Sequence, residues 1–201
     1  MQEEFDAQRR NSTWELVPPS PSQNIIGCRW VYKIKRNTDG TVSHYKAHLV
    51  AKGFHQRSGV DFSETFSPVV KSTTIRILLT LAVYNGWSLR QLDVNKAFLQ
   101  GTFHEDVFMQ QPLGFVDSSY SDHVCHLKKA IYGLRQSPRA WYMELKSYLV
   151  GCGFVNSKYD ASLFISHNNH TTLFLLVYVD DIIVTRNSPS AVQQCISNLS
   201  T

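Results

Sequence analysis

Residues 173–185, LFLLVYVDDIIVT, confine the chain more than any other stretch. Two adjacent carboxylates, Asp180 and Asp181, interrupt apolar and β-branched residues that would otherwise continue as one core strand. Removing a carboxylate from water costs several kcal/mol unless it is paired. The pair therefore belongs at the rim of a core, at a tight turn between two strands. Two carboxylates pointing the same way repel each other, and a hard divalent cation with oxygen ligands removes that repulsion.

Asp93 offers a third carboxylate in a similar setting. It ends the strand-like WSLRQLD, ahead of a short helix start. Three aspartates on two strand ends can hold a pair of Mg²⁺ or Mn²⁺ ions. Such a pair performs in-line phosphoryl or nucleotidyl transfer, one metal at the attacking oxygen and one at the leaving group. The competing structural readings are an ordinary helix cap for Asp93 and an ordinary Asx turn for Asp180-Asp181.

The flanking segments alternate between strand and helix patterns. Residues 1–24 read as a polar lead-in, in part helical, that ends in prolines 18, 19 and 21. Arg29–Arg36 and Val42–Ala51 flank a turn at Asp39-Gly40, which predicts a basic β-hairpin. TIRILLTLAVYN predicts a helix capped by Ser72 or Thr73 and stopped at Gly86. EDVFMQQPLGF predicts a further strand. Ser137 as N-cap, Pro138 at N1 and a stripe of Trp141, Leu145, Leu149 and Cys152 predict a long helix. SLFIS and TTLFLLVYV predict a hairpin around a polar turn holding His167 and His170, both expected in solvent. SPSAVQQCISNLS predicts a last helix.

Composition excludes some classes. With 43% hydrophobic and 18% charged residues, the 201-residue chain is globular rather than disordered. The longest apolar run, Leu173–Val179, is too short to span a bilayer, so no membrane partner is expected. Four scattered cysteines without a CxxC fit free thiols in a reducing compartment. With no signal-peptide pattern, the chain reads as intracellular, cytoplasmic or nuclear, not secreted. His123–His126, HVCH, lacks a second cluster to complete a tetrahedral metal site and reads as structural. The net charge of +4 is small, but its placement is uneven. Residues 29–57 hold seven Lys/Arg against one acid, Asp39, and residues 128–139 hold four with no acid. Such stretches suit a phosphate-rich partner, or are simply solvated faces.

YVDD within apolar strands, preceded by QLDVNKAFLQG, resembles the polymerase core of reverse transcriptases. RWVYKIKRNTDGTVSHYKAHLVAKGFHQRSGVDFSETFSPVVK, VFMQQPLGF and LKKAIYGLRQSPRAWY narrow the resemblance to the copia-type LTR retrotransposon class. It runs from about Trp14 to at least Thr185, with several independent segments in the right order.

The resemblance implies an α+β right-hand polymerase fold, with a basic hairpin as fingers and a palm whose antiparallel sheet packs on helices. It implies a lead-in over 1–24 and a fingers/palm core over 25–201 that ends before a thumb. Asp93, Asp180 and Asp181 would be the catalytic metal ligands. Phe98 would lie under the sugar of the incoming dNTP and exclude a 2′-OH, though its place in an apolar helix start equally fits plain core. Tyr132, Gly133 and Gln136 would border the nucleotide; a loop glycine before a helix is the alternative for Gly133. Lys46 would contact triphosphate, and Lys52 and Tyr178 the nucleic acid. The implied partners are dNTP and a primed RNA or DNA template. The chain departs from the family pattern at His48, where an arginine is usual, and at Asn95-Lys96, where the usual order is Lys-Asn. These departures support a second reading, an inactive retroelement remnant or nucleic-acid-binding module. A phosphoacceptor domain is a third, disfavoured because its paired aspartates would follow the first strand.

Overall fold

The computed structural model describes residues 1–94, 96–168 and 171–186, an α+β chain with three α-helices among them. Two compact units divide it: residues 1–66 with 98–141, and residues 67–97 with 142–201. The expected last helix and His170 lie outside the described residues.

The first unit opens with helix α1 (Gln2–Arg10) and strand β1 (Trp14–Val17). Strand β2 (Ile25–Ile26) leads into β3 (Cys28–Arg36) and β4 (Val42–Ala51), the hairpin predicted around Asp39-Gly40. Asp39 Oδ1 accepts from both the amide and hydroxyl of Thr41, which closes the turn. Helix α2 (Ser72–Tyr84) and strand β5 (Ser88–Asp93) belong to the second unit. Strands β6 (Thr102–Met109) and β7 (Val124–Lys129) return to the first. They join β1 and β2 in a mixed sheet ordered β1-β7-β6-β2, in which only β2 and β6 run parallel. Ile26, Leu49, Val107, Met109, Leu127 and Ile131 are fully or almost fully buried and form its core.

Helix α3 (Ser137–Gly151) carries three of the four residues of the expected stripe: Trp141, Leu145 and Leu149 are buried, whereas Cys152 lies just past the helix end and is exposed. Strands β8 (Val155–Asn156), β9 (Leu163–Asn168), β10 (Thr171–Tyr178) and β11 (Asp181–Arg186) complete the second unit. With β5 they form an all-antiparallel sheet ordered β5-β11-β10-β9-β8. Phe164, Leu175, Ile182 and Val184 are completely buried in it.

Two helix starts differ from the sequence expectation. Neither Ser72 nor Thr73 caps α2; Lys71 stands at the N-cap without a side-chain bond of its own to the helix. The Asp160 carboxylate, 89 residues away, accepts from the Lys71 amide at 3.1 Å and from the Thr74 hydroxyl. Burial alone would raise the Asp160 pKa, but these donors, the Ser162 amide and the Lys71 charge together hold it below the ordinary value. Ser137 is the first residue of α3 rather than its cap, and its hydroxyl donates to the Ile131 carbonyl at 2.6 Å.

Candidate active site

The acid-bearing turn forms as the apolar flanks predict. Strands β10 and β11 pair from Leu173↔Arg186 to Tyr178↔Asp181, leaving a two-residue turn of Val179 and Asp180. Val179 has a φ of +56° and Asp180 does not share the positive sign, as in a type II′ turn, where the first central position favours glycine. A β-branched residue there is strained by roughly 1–3 kcal/mol.

Strand β11 pairs on its other side with β5, and the register sets Asp181 directly opposite Asp93. The Val94 amide donates to the Asp180 carbonyl at 2.8 Å, which ties the turn to the end of β5. Directly opposed residues project to the same face of a sheet, with Cβ atoms roughly 4.5–5.5 Å apart, and like charges in such a pair are destabilising. The fold thus sets two aspartates, 88 positions apart in sequence, opposite each other, with Asp180 next to Asp181 in the chain.

Gln91 is a neighbour that the sequence motifs do not single out. Its Nε2 donates to Asp181 Oδ1 at 2.9 Å. The period-2 alternation of QLD, which puts Gln91 on the face of Asp93, is the signal that could have found it. Tyr178, at the end of β10, is 52% exposed beside Asp181.

Three carboxylates are the right donors for a hard divalent cation, and the backbone register of Asp93 and Asp181 fits one. Among the described residues, the side chains are not gathered into a cluster of three that would hold a metal.

The remaining predicted residues lie in the first unit. Phe98 is buried, with its ring edge-on to Tyr132 at 4.6 Å. Tyr132 also meets the His48 ring at 5.4 Å, and His48 Nδ1 lies 3.7 Å from Glu4 Oε1. Gly133 has a φ of +93°, and a Cβ there would overlap the Ala51 carbonyl oxygen and meet Val50 Cγ1 at 2.7 Å. The close approach that glycine permits is thus to β4 of the chain itself, where the Ala51 amide donates to the Tyr132 carbonyl at 2.8 Å. Gln136 is buried; its Nε2 donates to the Asp61 carbonyl at 2.8 Å and its Oε1 accepts from Gln56 Nε2 at 2.9 Å. Gln56 also accepts from the Arg135 amide. Lys46 is exposed opposite Lys33, and Lys52 is half-buried at the end of β4.

HVCH is occupied structurally. His126 bridges Glu15 at 3.2 Å and Asp106 at 2.9 Å and stacks on Phe108, while burial pushes the Cys125 thiol up to about 12.

The profile of the family described as "Reverse transcriptase (RNA-dependent DNA polymerase)" matches residues 11–200. The chain belongs to the reverse transcriptase family. It is 55% identical over its whole length to the retrovirus-related Pol polyprotein from transposon RE1 of Arabidopsis thaliana, of which it covers 14%. It is 39% identical to the corresponding polyprotein from transposon TNT 1-94 of Nicotiana tabacum, covering 15% of it. A Gag-Pol polyprotein of yeast transposon Ty1-H is 30% identical over 207 aligned residues, 10% of its length. These matches bear out the copia-type resemblance of the sequence. The reverse transcriptase chain therefore spans a small part of the polyproteins it matches. Among its described residues no helix is long and apolar enough to cross a membrane.

Proposed function

We propose that this chain carries the nucleotidyl-transfer centre of an RNA-directed DNA polymerase, adding dNTPs to a primer 3′-OH on an RNA or DNA template. The observation that carries this reading is the register of Asp93 against Asp181, beside Asp180 in a strained two-residue turn. A like-charge register and a strained turn at one sheet corner are features that a bound cation would compensate. Asp93, Asp180 and Asp181 would hold Mg²⁺ or Mn²⁺. When bound, the metal lowers the pKa of the attacking hydroxyl and neutralises charge on the triphosphate.

The chain's own groups do the rest. Gln91 orients Asp181 by its hydrogen bond. Phe98, its ring held by Tyr132, acts as a steric gate against a ribose 2′-OH. Gly133 and Gln136 shape the nucleotide border through the backbone they fix, and Lys46 supplies a cation for phosphate. Lys52 and Tyr178 lie along the nucleic acid. In this reading the β3–β4 hairpin belongs to the fingers and the five-stranded sheet to the palm.

A second reading, a nucleic-acid-binding module without turnover, is favoured by one observation. Lys96, between Asp93 and Phe98 in sequence, has a φ of +56°. Asparagine, which the family pattern puts there, tolerates that backbone better than lysine.

Primer extension with Mg²⁺ or Mn²⁺ tests both readings. Incorporation that falls at least about 100-fold in Asp181→Asn and in Asp93→Asn, with primer-template binding retained, supports the polymerase. Binding without any incorporation by the unaltered chain supports the module instead.

A further inference from the structure

A line of side chains within the first unit leads from Phe98 back to helix α1. Its middle member is Tyr132. The backbone of Tyr132 is fixed, because its carbonyl accepts from the Ala51 amide at 2.8 Å and Val50 bridges to it as in a parallel ladder. The ring is only half-buried, so burial alone does not choose its rotamer. Two rings touch it. Phe98 meets it edge-on, with centroids 4.6 Å apart and an interplanar angle of 67°. His48 meets it tilted, at 5.4 Å and 53°. His48 in turn is set against a carboxylate. Glu4 Oε1 lies 3.7 Å from His48 Nδ1, which is buried and has no hydrogen-bond partner among the described residues. That distance is too long for a hydrogen bond but well within reach of electrostatic attraction. Glu4 is 9% exposed, and the still more buried Gln8 donates to the same oxygen at 3.4 Å. Burying a carboxylate on a nine-residue helix carries a free-energy cost that a neutral side chain would avoid, yet the charge is kept where it faces this imidazole.

We propose that Glu4 and His48 are positioning residues for sugar selection: Glu4 draws the His48 ring onto Tyr132, and Tyr132 keeps the Phe98 ring where it excludes a 2′-OH. The proposal rests on the gate reading of Phe98 above and adds to it the residues that set how strictly the gate works. A steric gate acts through the place of its ring, and an error on the order of 1 Å forfeits much of what positioning supplies. Phe98 has its edge contact with Tyr132, Tyr132 is anchored only through its main chain, and His48 is the second ring against it. Glu4 fixes that second ring by charge, with a carboxylate delivered from a different element. Helix α1, a polar lead-in by its sequence, thereby takes part in choosing the substrate.

The test has two readouts on the full chain. One is the ratio of dATP to ATP affinity in the presence of a primed template. The other, which needs no nucleotide, is the set of Phe98 ring resonances in a phenylalanine-labelled chain, identified by their loss in Phe98→Leu. Glu4→Gln keeps the size of the side chain and removes its charge. It is expected to lower the affinity ratio roughly 2- to 30-fold and to shift the Phe98 resonances. His48→Ala should do both at least as strongly. His48→Phe keeps a ring against Tyr132 but offers Glu4 nothing to attract, so adding Glu4→Gln to it should change the ratio no further; additive losses overturn the proposal. Unmoved Phe98 resonances in Glu4→Gln and His48→Ala overturn it as well, whether or not the chain turns over. So does a lower melting temperature with an unchanged ratio, which would make the pair a structural contact only. Phe98→Ala separates the two readings. If it leaves the ratio unchanged, the gate itself falls and the proposal with it. If it lowers the ratio while Glu4→Gln and His48→Ala do not, the gate stands and only the role of Glu4 and His48 is lost.

Discussion

The segment Tyr132–Gln136 and the turn Tyr178–Asp181 both belong to the resemblance, yet the fold treats them in opposite ways. Gly133 and Gln136 are fully accounted for by the chain's own structure. The glycine makes room for β4, and the buried amide of Gln136 commits its donor and acceptor to Asp61 and Gln56. The turn is the reverse case. Val179 is strained, Asp181 opposes Asp93, and Gln91 donates to the Asp181 carboxylate. In the proposed reading the first region acts only through the shape it gives to the backbone. The second holds features that the fold alone does not explain, and there the chemical reading is strongest.

Substitution at Gly133 should give the largest effect if that contrast is right. In Gly133→Ala the new Cβ collides with main chain, which cannot rotate away, and an L side chain disfavours a φ of +93°. A loss of about 3 kcal/mol or more is expected, seen as a fall in melting temperature of roughly 6–12 °C or as failure to fold. A variant with the wild-type melting temperature but weakened dNTP binding would move Gly133 into the same class as the aspartates and break the comparison.

The same contrast marks what could be read from sequence. Local signals were sufficient for the β3–β4 hairpin, because Asp39-Gly40 sets the turn and the strands need no distant partner. The acidic turn was legible for the same reason: apolar runs on both sides leave the carboxylates nowhere but the rim. Pairings between distant residues were not legible. Nothing in WSLRQLD names β11 as its partner, and so the facing of Asp93 and Asp181 came only with the fold. The cap of α2 was misplaced because a good local candidate, Ser72, lost to a buried carboxylate 89 residues from the N-cap. The valine at φ +56° was also out of reach, since its residue type argues against that backbone.

Asp160 sharpens the comparison from the side of the carboxylates. It is a buried acid whose two oxygens accept from the Lys71 and Ser162 amides, and these donors hold its pKa down against burial. A depressed folded-state pKa contributes stability that is present above the unfolded-state value and is lost as pH falls through the folded-state one. Asp160→Asn should therefore lower the melting temperature at neutral pH by roughly 2–4 °C, the effect of about 1 kcal/mol from a lost charged cap. The gap to the wild type should close as pH drops below the ordinary aspartate range. Thermal melts at both ends of that range check it, and a gap of constant size would show that the charge of Asp160 contributes nothing.

Val179 offers a test of similar size and the most pointed one. Glycine at this position removes the Cβ that makes a φ of +56° costly, but it also frees the unfolded chain. Strain relief of roughly 1–3 kcal/mol less an entropic penalty of roughly 0.5–1 kcal/mol leaves a net gain of about 1 kcal/mol. Val179→Gly should thus raise the melting temperature by roughly 2–4 °C. If the strained turn fixes Asp180 beside Asp93 and Asp181, the same variant should lose incorporation by roughly tenfold or more, because a mobile carboxylate is poorly placed for catalysis. A more stable chain with poorer turnover is what a strained catalytic turn requires. If melting temperature and incorporation both stay at the wild-type values, the turn is held no more tightly than any surface hairpin, and its difference from the Gly133 segment disappears.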